Sequence, residues 1–329
     1  MIPRDSVDYY PTPDSLAFDL AYSALPSNEW GRVKRYPGPI LEPSAGSGSL
    51  AFAIERVCDI HRNKSGNFVG PCGATNKNPH LAQKDRPLDL DVIESLITPK
   101  TKMLVMNTPS NPTGAVQSRE TLEKLAKIVE QHNLIVVSDE IYEKLVYGGA
   151  KHVSFASLPG MKERTITLNG FSKCYSMTGW RLGYVAAPVE FIQAMVRVHQ
   201  YINTCASSFV QEAAITALEK GEPDVQRMVA EYQRRRDYAV SAINSIDGIS
   251  CKNPEGAFYI FVNIKELGRS SSEVADYLLD HAHIATVPGS AFGPSGEGYI
   301  RLSYACSYER IVEAMERLKK AVAELKAGR

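Results

Sequence analysis

The sequence predicts an α/β fold with a mostly parallel sheet, because short strand-like runs alternate with a helical pattern. Runs at 103–106, 134–137 and 165–168 each lead into a polar loop. Between the first two, Ser118 can cap a helix whose apolar residues recur at i, i+3, i+4 and i+7. Strand, crossover helix and strand in this order are typical of a parallel sheet, which binds its ligands at the carboxyl ends of the strands.

The elements that follow predict further helices and a smaller α+β part. Helices are expected at 189–202 and 210–218, and a long helix carries the arginine-rich residues 232–237, where charges indicate a solvated face rather than a nucleic-acid surface. A strand is expected at 256–262, followed by a last helix from Ser307. The apolar stripe of that helix consists of Ile311, Met315, Leu318, Val322 and Leu325.

Composition indicates a soluble enzyme without a bulk attraction to nucleic acid or membrane. The 329 residues are 44% hydrophobic and 22% charged, with 37 basic residues against 37 acidic ones. No apolar stretch approaches the roughly 20 residues that span a bilayer, and the N-terminus lacks the apolar core of a signal peptide, so we expect a cytoplasmic location. Six cysteines without CxxC spacing favour reduced thiols over disulfides or a metal site.

Lys173 is the strongest candidate for a chemical role. It follows the run at 165–168, and Arg181 lies eight residues further on. A partly desolvated lysine near other cations has a lowered pKa, so its amine can react with the aldehyde of pyridoxal phosphate, while an arginine suits the phosphate. A solvated surface lysine is the ordinary alternative, and two further segments argue against it.

These segments are two loops that follow predicted strands. Residues 107–114 contain two X-Pro steps and end in glycine, which predicts an extended, turning loop at a strand end. Residues 138–142 place Asp139 at the end of the next strand. A buried acid there is costly without a positive partner, and a protonated pyridine nitrogen would be one. A helix-capping role for Asp139 is equally compatible with the sequence.

In this order, the three segments resemble fold-type I pyridoxal-phosphate enzymes, and specifically class I aminotransferases of the aspartate aminotransferase group. The resemblance runs from about residue 87 to the C-terminus. It implies that Lys173 binds pyridoxal 5'-phosphate covalently and that Asp139 pairs with its pyridine nitrogen. It also implies that Asn111 and Tyr142 hydrogen-bond the phenolic oxygen of the cofactor, and that Arg181 binds its phosphate.

Two further positions bear on this resemblance. Residues 298–305 are similar to the family pattern for the arginine that holds the substrate carboxylate, which implies this role for Arg301, whose planar fork suits two parallel hydrogen bonds. Gly170 departs from the family, since many members carry a phosphate-binding serine there. The implied activity moves an amino group between an L-amino acid and a 2-oxo acid, with Lys173 transferring the α-proton, and a homodimer is the implied assembly.

The N-terminal part predicts something different. Residues 1–65 resemble the opening of an adenine-specific DNA methyltransferase, with Pro-Thr-Pro at 11–13 and a glycine loop within 39–51 for S-adenosylmethionine. We interpret 66–86 as a linker or junction, 87–223 as a partial aminotransferase large domain and 224–329 as its small domain.

Two alternative functions follow from this division. Besides an active aminotransferase, the chain could be a fragment of an S-adenosylmethionine-dependent DNA adenine methyltransferase, or a catalytically impaired fusion that keeps the pyridoxal-phosphate fold. The first alternative lacks an acid for the ribose and an Asn-Pro-Pro-aromatic motif for a flipped base. The second follows because the family's phosphate-binding turn, ring-stacking aromatic and intersubunit tyrosine are not recognisable, which predicts weak cofactor affinity.

Overall fold

A five-stranded sheet forms the first half of the structure. The computed structural model describes residues 88–328, together with the backbone of Ile40–Leu41. The strands lie in chain order, the first four are parallel, and the fifth pairs antiparallel with the fourth. They are β1 (Ile40–Leu41), β2 (Met103–Asn107), β3 (Ile135–Asp139), β4 (Thr165–Gly170) and β5 (Gly183–Ala186). The predicted α/β class is confirmed.

Helices connect and cover these strands. The crossover helix between β2 and β3 begins after Ser118, whose Oγ accepts a hydrogen bond from Thr121 N at 3.1 Å. Its predicted apolar face is buried, which packs it onto the sheet. Among residues 88–328, the helices that precede the second sheet are α1 (Leu90–Leu96), α2 (Arg119–Gln131), α3 (Val189–Ile202), α4 (Ser208–Lys220) and α5 (Glu222–Asn244).

A second, antiparallel sheet follows α5. Its three strands, in the order β6-β8-β7, are β6 (Tyr259–Asn263), β7 (Val287–Pro288) and β8 (Tyr299–Ser303). Helix α5 packs against it, together with α6 (Ser271–Ala282) and α7 (Tyr308–Lys326), whose predicted stripe is buried. The predicted division into a large domain at 87–223 and a small domain at 224–329 stays a prediction.

Two local expectations were wrong. The strand predicted at 256–262 begins only at Tyr259, because Ala257 is left-handed with φ +57°. The arginine-rich stretch is not solvated throughout, since Arg236 is 3% exposed. Its Nη1 donates to Pro254 O at 2.9 Å, and its guanidinium lies 5.0 Å from the Tyr147 ring centroid, so these partners compensate the buried charge.

Exposed hydrophobic side chains are concentrated in one part of the sequence. Of the eleven large hydrophobic side chains that are exposed within residues 88–328, ten lie between residues 180 and 218. Such concentration is typical of a surface that contacts other protein. Within the same range, none of the helices has the length and apolar character needed to cross a membrane. Within this range, Cys174, Cys205 and Cys306 are free thiols.

Candidate active site

The predicted loop after β2 is tied to the end of β3. Asn107 Nδ2 and Thr108 N both donate to the carbonyl oxygen of Asp139, at 3.0 and 3.1 Å. Asn111 N donates in turn to Asn107 Oδ1 at 2.7 Å. These bonds bring Asn111 and Asp139 to the same carboxyl edge of the parallel sheet, as predicted for a ligand site.

Asp139 ends β3 without beginning a helix, so the capping alternative was wrong. Its carboxylate accepts one hydrogen bond, from Ile141 N at 3.2 Å. Within residues 88–328 no cation pairs with it. Burial, with a smaller effect from the charge of Glu140, raises the pKa of Asp139 to about 6. A partly buried carboxylate of this kind suits a ligand that brings a positive charge.

The neighbouring Glu140 anchors the turn that carries Asp139. It is 1% exposed and accepts hydrogen bonds from Ser138 Oγ, Ser154 Oγ and Phe155 N at 2.8, 3.1 and 3.1 Å. His152 Nε2 lies 2.9 Å from its second oxygen. Glu143 is close enough to these two side chains for a metal ion to bridge the three. The existing bonds already occupy the Glu140 carboxylate, so we assign it a structural role.

Lys173 lies in the turn after β4, where it is half-buried. Its Nζ is 5.6 Å from the ring centroid of Phe258. Burial lowers the pKa of the Lys173 amine, and the positive charges of Arg181 and Arg301 lower it further. The structure therefore places the three predicted basic residues within electrostatic reach, and it favours the unprotonated, nucleophilic amine.

Arg181 occupies a short turn before β5. Its backbone is left-handed with φ +56°, and its Nη1 donates to Thr178 O at 3.0 Å. The side chain is otherwise open, which leaves guanidinium donors for an anion. Arg181 is the residue that the sequence predicts as the ligand of the cofactor phosphate.

Arg301 lies on β8, in the second sheet, and reaches the first one. Its Nη1 donates to Asn111 Oδ1 at 2.8 Å. Its guanidinium carbon lies 4.4 Å from the ring centroid of Tyr259 and 5.1 Å from that of Phe292. The bond to Asn111 uses the amide oxygen, so the amide nitrogen of Asn111 stays available as a donor.

Tyr142 completes the group of predicted residues. It is 4% exposed, and its hydroxyl lies 3.2 Å from the hydroxyl of Tyr259. Burial raises the pKa of Tyr142 well above its usual value, so the hydroxyl keeps its proton and can donate it in a hydrogen bond. Asn111, Tyr142 and Arg301 are thus linked, directly or through Tyr259.

Sequence reasoning missed Phe258, Tyr259 and Phe292. Residues 256–262 were interpreted only as a strand, although two aromatic residues follow glycine and alanine at its start. The Ala257 carbonyl accepts hydrogen bonds from Tyr147 and Tyr304 hydroxyls at 2.5 and 3.1 Å, which fixes this bend. The adjacent aromatic residues Phe258 and Tyr259, next to this bend, are the sequence signal that could have identified these contacts.

Gly170 has no room for a side chain. It pairs with Gly183 across β4 and β5, and a Cβ built on it would meet Gly183 Cα at 2.9 Å and Leu182 O at 3.0 Å. Both are backbone atoms, so neither can turn away. The serine that many family members carry here therefore does not fit this chain without a shift of β5.

We expect Gly170→Ser to lower the free energy of unfolding by about 2 kcal/mol, because overpacking of this kind displaces backbone. Urea unfolding of the purified chain measures the change. Gly179→Ser is the matched control, since a Cβ at Gly179 meets nothing within 4 Å. An unchanged unfolding midpoint for Gly170→Ser would show that β5 moves aside freely.

The side chains of the candidate site match several chemical groups of pyridoxal phosphate. Lys173 offers the amine for the aldehyde, and Asp139 is a carboxylate without a cation for the pyridine nitrogen. Asn111 and Tyr142 offer donors for the phenolic oxygen, and Arg181 offers one for the phosphate. The chemistry of the donor set therefore agrees with the cofactor that the sequence predicts.

Comparison with known proteins gives matches to aminotransferases. Residues 72–318 match the family described as aminotransferase class I and II. Aromatic-amino-acid aminotransferase 2 of Thermococcus litoralis and aspartate aminotransferase of Pyrococcus abyssi are each 47% identical over 250 residues, 75% of this chain and 64% of their own length. This chain thus spans less than two thirds of either relative. The family match begins 15 residues before residue 87, inside the predicted junction at 66–86.

Solved structures agree in fold. The aromatic aminotransferase from Pyrococcus horikoshii superposes with a TM-score of 0.77 at 40% identity, over 94% of this chain and 78% of its own. The aspartate aminotransferase from Rhizobium meliloti gives 0.74 at 34% identity, over 94% and 74%. The resemblance of residues 1–65 to a methyltransferase falls outside the described residues and stays a hypothesis.

Proposed function

Because this chain belongs to the class I and II aminotransferases, we propose that it is a pyridoxal-phosphate-dependent enzyme that moves an amino group between an L-amino acid and a 2-oxo acid. The observation that carries the proposal is the carboxylate of Asp139, partly buried and without a cation among residues 88–328. A protonated pyridine nitrogen would provide that cation.

The chain's own residues divide the work of binding. Lys173 would bind the cofactor covalently, Asp139 would pair with its ring nitrogen, and Arg181 would bind its phosphate. Asn111 and Tyr142 would donate to its phenolic oxygen. When bound, pyridoxal phosphate supplies an electron-withdrawing ring that stabilises negative charge at the α-carbon of an amino acid.

Catalysis then depends on two side chains that face the substrate. Arg301 would hold the α-carboxylate with its planar fork, which fixes the direction of the α-proton. The free amine of Lys173, with its lowered pKa, would take that proton from the α-carbon as a general base and would then donate it to the carbon of the cofactor that carried the aldehyde. A 2-oxo acid, held by the same arginine, would use the same groups in reverse.

The substrate class is limited to α-amino acids and 2-oxo acids by the role of Arg301. Relatives named for aspartate and for aromatic amino acids are equally similar to this chain, so both classes of side chain belong in a substrate screen. The expected homodimer and cytoplasmic location remain predictions, as does impaired turnover.

The test is to add pyridoxal phosphate to the purified full chain, record the visible absorption, reduce with borohydride and map the labelled peptide. We expect a visible band and a label on Lys173. Lys144→Ala is the matched control, because Lys144 pairs with Glu222 at 2.6 Å and should not carry the label. Label spread over surface lysines would contradict the proposal, and S-adenosylmethionine calorimetry tests the methyltransferase hypothesis separately.

A further inference from the structure

Tyr259 lies between the two halves of the proposed site. Strands β6 and β8 pair antiparallel, with Phe261 opposite Arg301 and Tyr259 opposite Ser303. Side chains two residues apart on a strand share a face, so Tyr259 is a diagonal neighbour of Arg301 on that face. This register, rather than sequence proximity, brings its ring to the guanidinium.

The ring of Tyr259 forms one wall around Arg301. The guanidinium carbon is 4.4 Å from its centroid, and Phe292 forms a second wall at 5.1 Å. Phe292 is itself held by Phe261, at 6.1 Å between centroids in an edge-to-face arrangement. An arginine side chain has many rotamers, and two aromatic walls plus the bond to Asn111 leave it few.

The hydroxyl of Tyr259 reaches Tyr142 instead. Their oxygens are 3.2 Å apart, and their rings pack edge to face at 6.0 Å. Both side chains are buried, at 8% and 4% exposure. When Tyr142 donates its proton to a ligand oxygen, its own oxygen is left to accept a bond from Tyr259.

We propose that Tyr259 is a positioning residue that orients Arg301 with its ring and Tyr142 with its hydroxyl. One side chain would thereby fix the distance between the carboxylate-binding group and the cofactor-binding group. This inference rests on the proposed function for the roles of those two groups. The contacts to Tyr259 themselves do not depend on it.

Two variants test the contribution of the Tyr259 ring separately from that of its hydroxyl. Tyr259→Phe keeps the ring, so the affinity for maleate, a dicarboxylate probe, should stay within about twofold of the wild-type value. Tyr259→Met fills the space without a ring, and the dissociation constant for maleate should rise about tenfold, the size of a partly desolvated cation–π contact. Calorimetry with the purified full chain, with and without added pyridoxal phosphate, measures both affinities without turnover.

The effect of the Tyr259 hydroxyl is measured by the pH dependence of the visible absorption band. In Tyr259→Phe, the pH midpoint of the band of the loaded chain should rise by about half a pH unit, because Tyr142 becomes a poorer donor to the phenolic oxygen. Asp139 and Arg301, the charged groups that also affect Tyr142, are unchanged in this variant. A general loss of stability would not move this midpoint.

Tyr238→Met is the matched control, since Tyr238 belongs to the same hydrophobic cluster and packs against Tyr308. It should leave the maleate affinity and the pH midpoint unchanged. If Tyr259→Met does not fold, Tyr259→Phe still decides the hydroxyl part. Equal maleate affinities in the Tyr259→Met and wild-type chains would overturn the ring part, and an unmoved midpoint would overturn the hydroxyl part.

The outcomes also separate this inference from the proposed function. A chain that fails to load at Lys173, but whose maleate affinity still depends on the ring, would refute the function and keep the role of the ring. A chain that loads at Lys173, but binds maleate equally with and without the ring, would keep the proposed function and refute the role of the ring. A wild-type chain that neither loads nor binds maleate would refute both.

Discussion

Lys173→Ala is expected to lower the rate of amino-group transfer at least about 10⁴-fold, because it removes both the covalent attachment and the base that moves the α-proton. The native amine is suited to the task, since burial and two arginines favour its unprotonated form. Single-turnover absorbance changes after mixing the loaded chain with an amino acid measure the rate. Added methylamine should restore part of it, because a small amine can enter the vacated space and act as the base.

Lys173→Arg distinguishes base chemistry from charge. A guanidinium stays protonated at all accessible pH values, so this variant places a cation at the position but cannot accept a proton, and it should be as inactive as the alanine variant. Lys144→Ala, which alters an ion pair on the surface, should keep the wild-type rate. A Lys173→Arg chain with more than a hundredth of the wild-type activity would contradict the assignment.

Asp139→Asn is expected to change activity and stability in opposite directions. The amide cannot neutralise a protonated ring nitrogen, and the loss of one such electrostatic partner lowers the rate about 10³-fold. The cofactor-free chain should instead become more stable at pH 7.5, by up to about 3 kcal/mol. That figure corresponds to a carboxyl pKa raised from 3.8 to about 6, at about 1.4 kcal/mol for each pKa unit.

The sign of the pH dependence follows from the raised pKa. Between about pH 4 and pH 6, the unfolded chain has released the Asp139 proton while the folded chain retains it, so the contribution of this group to stability falls as the pH rises. Asparagine has no such proton. Urea unfolding of both cofactor-free chains should therefore give nearly equal free energies at pH 3.5 and diverging ones up to pH 7. Equal values at pH 7.5 would show that the Asp139 carboxylate is not desolvated.

Sequence periodicity predicted α2, α3, α4, α5 and α7, because their patterns are local, whereas α1 and α6 were not predicted. The apolar spacing in α2 and the Ser118 cap are both present, and α3 has the predicted bounds Val189–Ile202. The proposed site residues Asp139 and Lys173 could be singled out from the sequence because Asp139 ends β3 and Lys173 lies in the turn after β4, where a parallel sheet binds ligands.

The remainder depends on contacts between distant elements. The burial of Arg236 requires the carbonyl of Pro254 and the ring of Tyr147, which no local pattern reveals. The role of Tyr259 requires the register of β6 against β8, and a shift of one residue would turn its ring to the other face. The cramped space at Gly170 likewise arises only when β5 pairs with β4.

The hydrogen bond between Asn111 and Arg301 joins residues that are 190 positions apart in the chain. Closing a loop of that length costs on the order of 5 kcal/mol of chain entropy, which this bond alone does not offset. We therefore expect the bond to form only after both sheets exist and have docked. The long sequence separation of its two residues predicts that it forms late in folding. The carboxylate binding proposed for Arg301 is for this reason a stringent measure of complete folding, and it should return after helical circular dichroism does when the denatured chain is refolded.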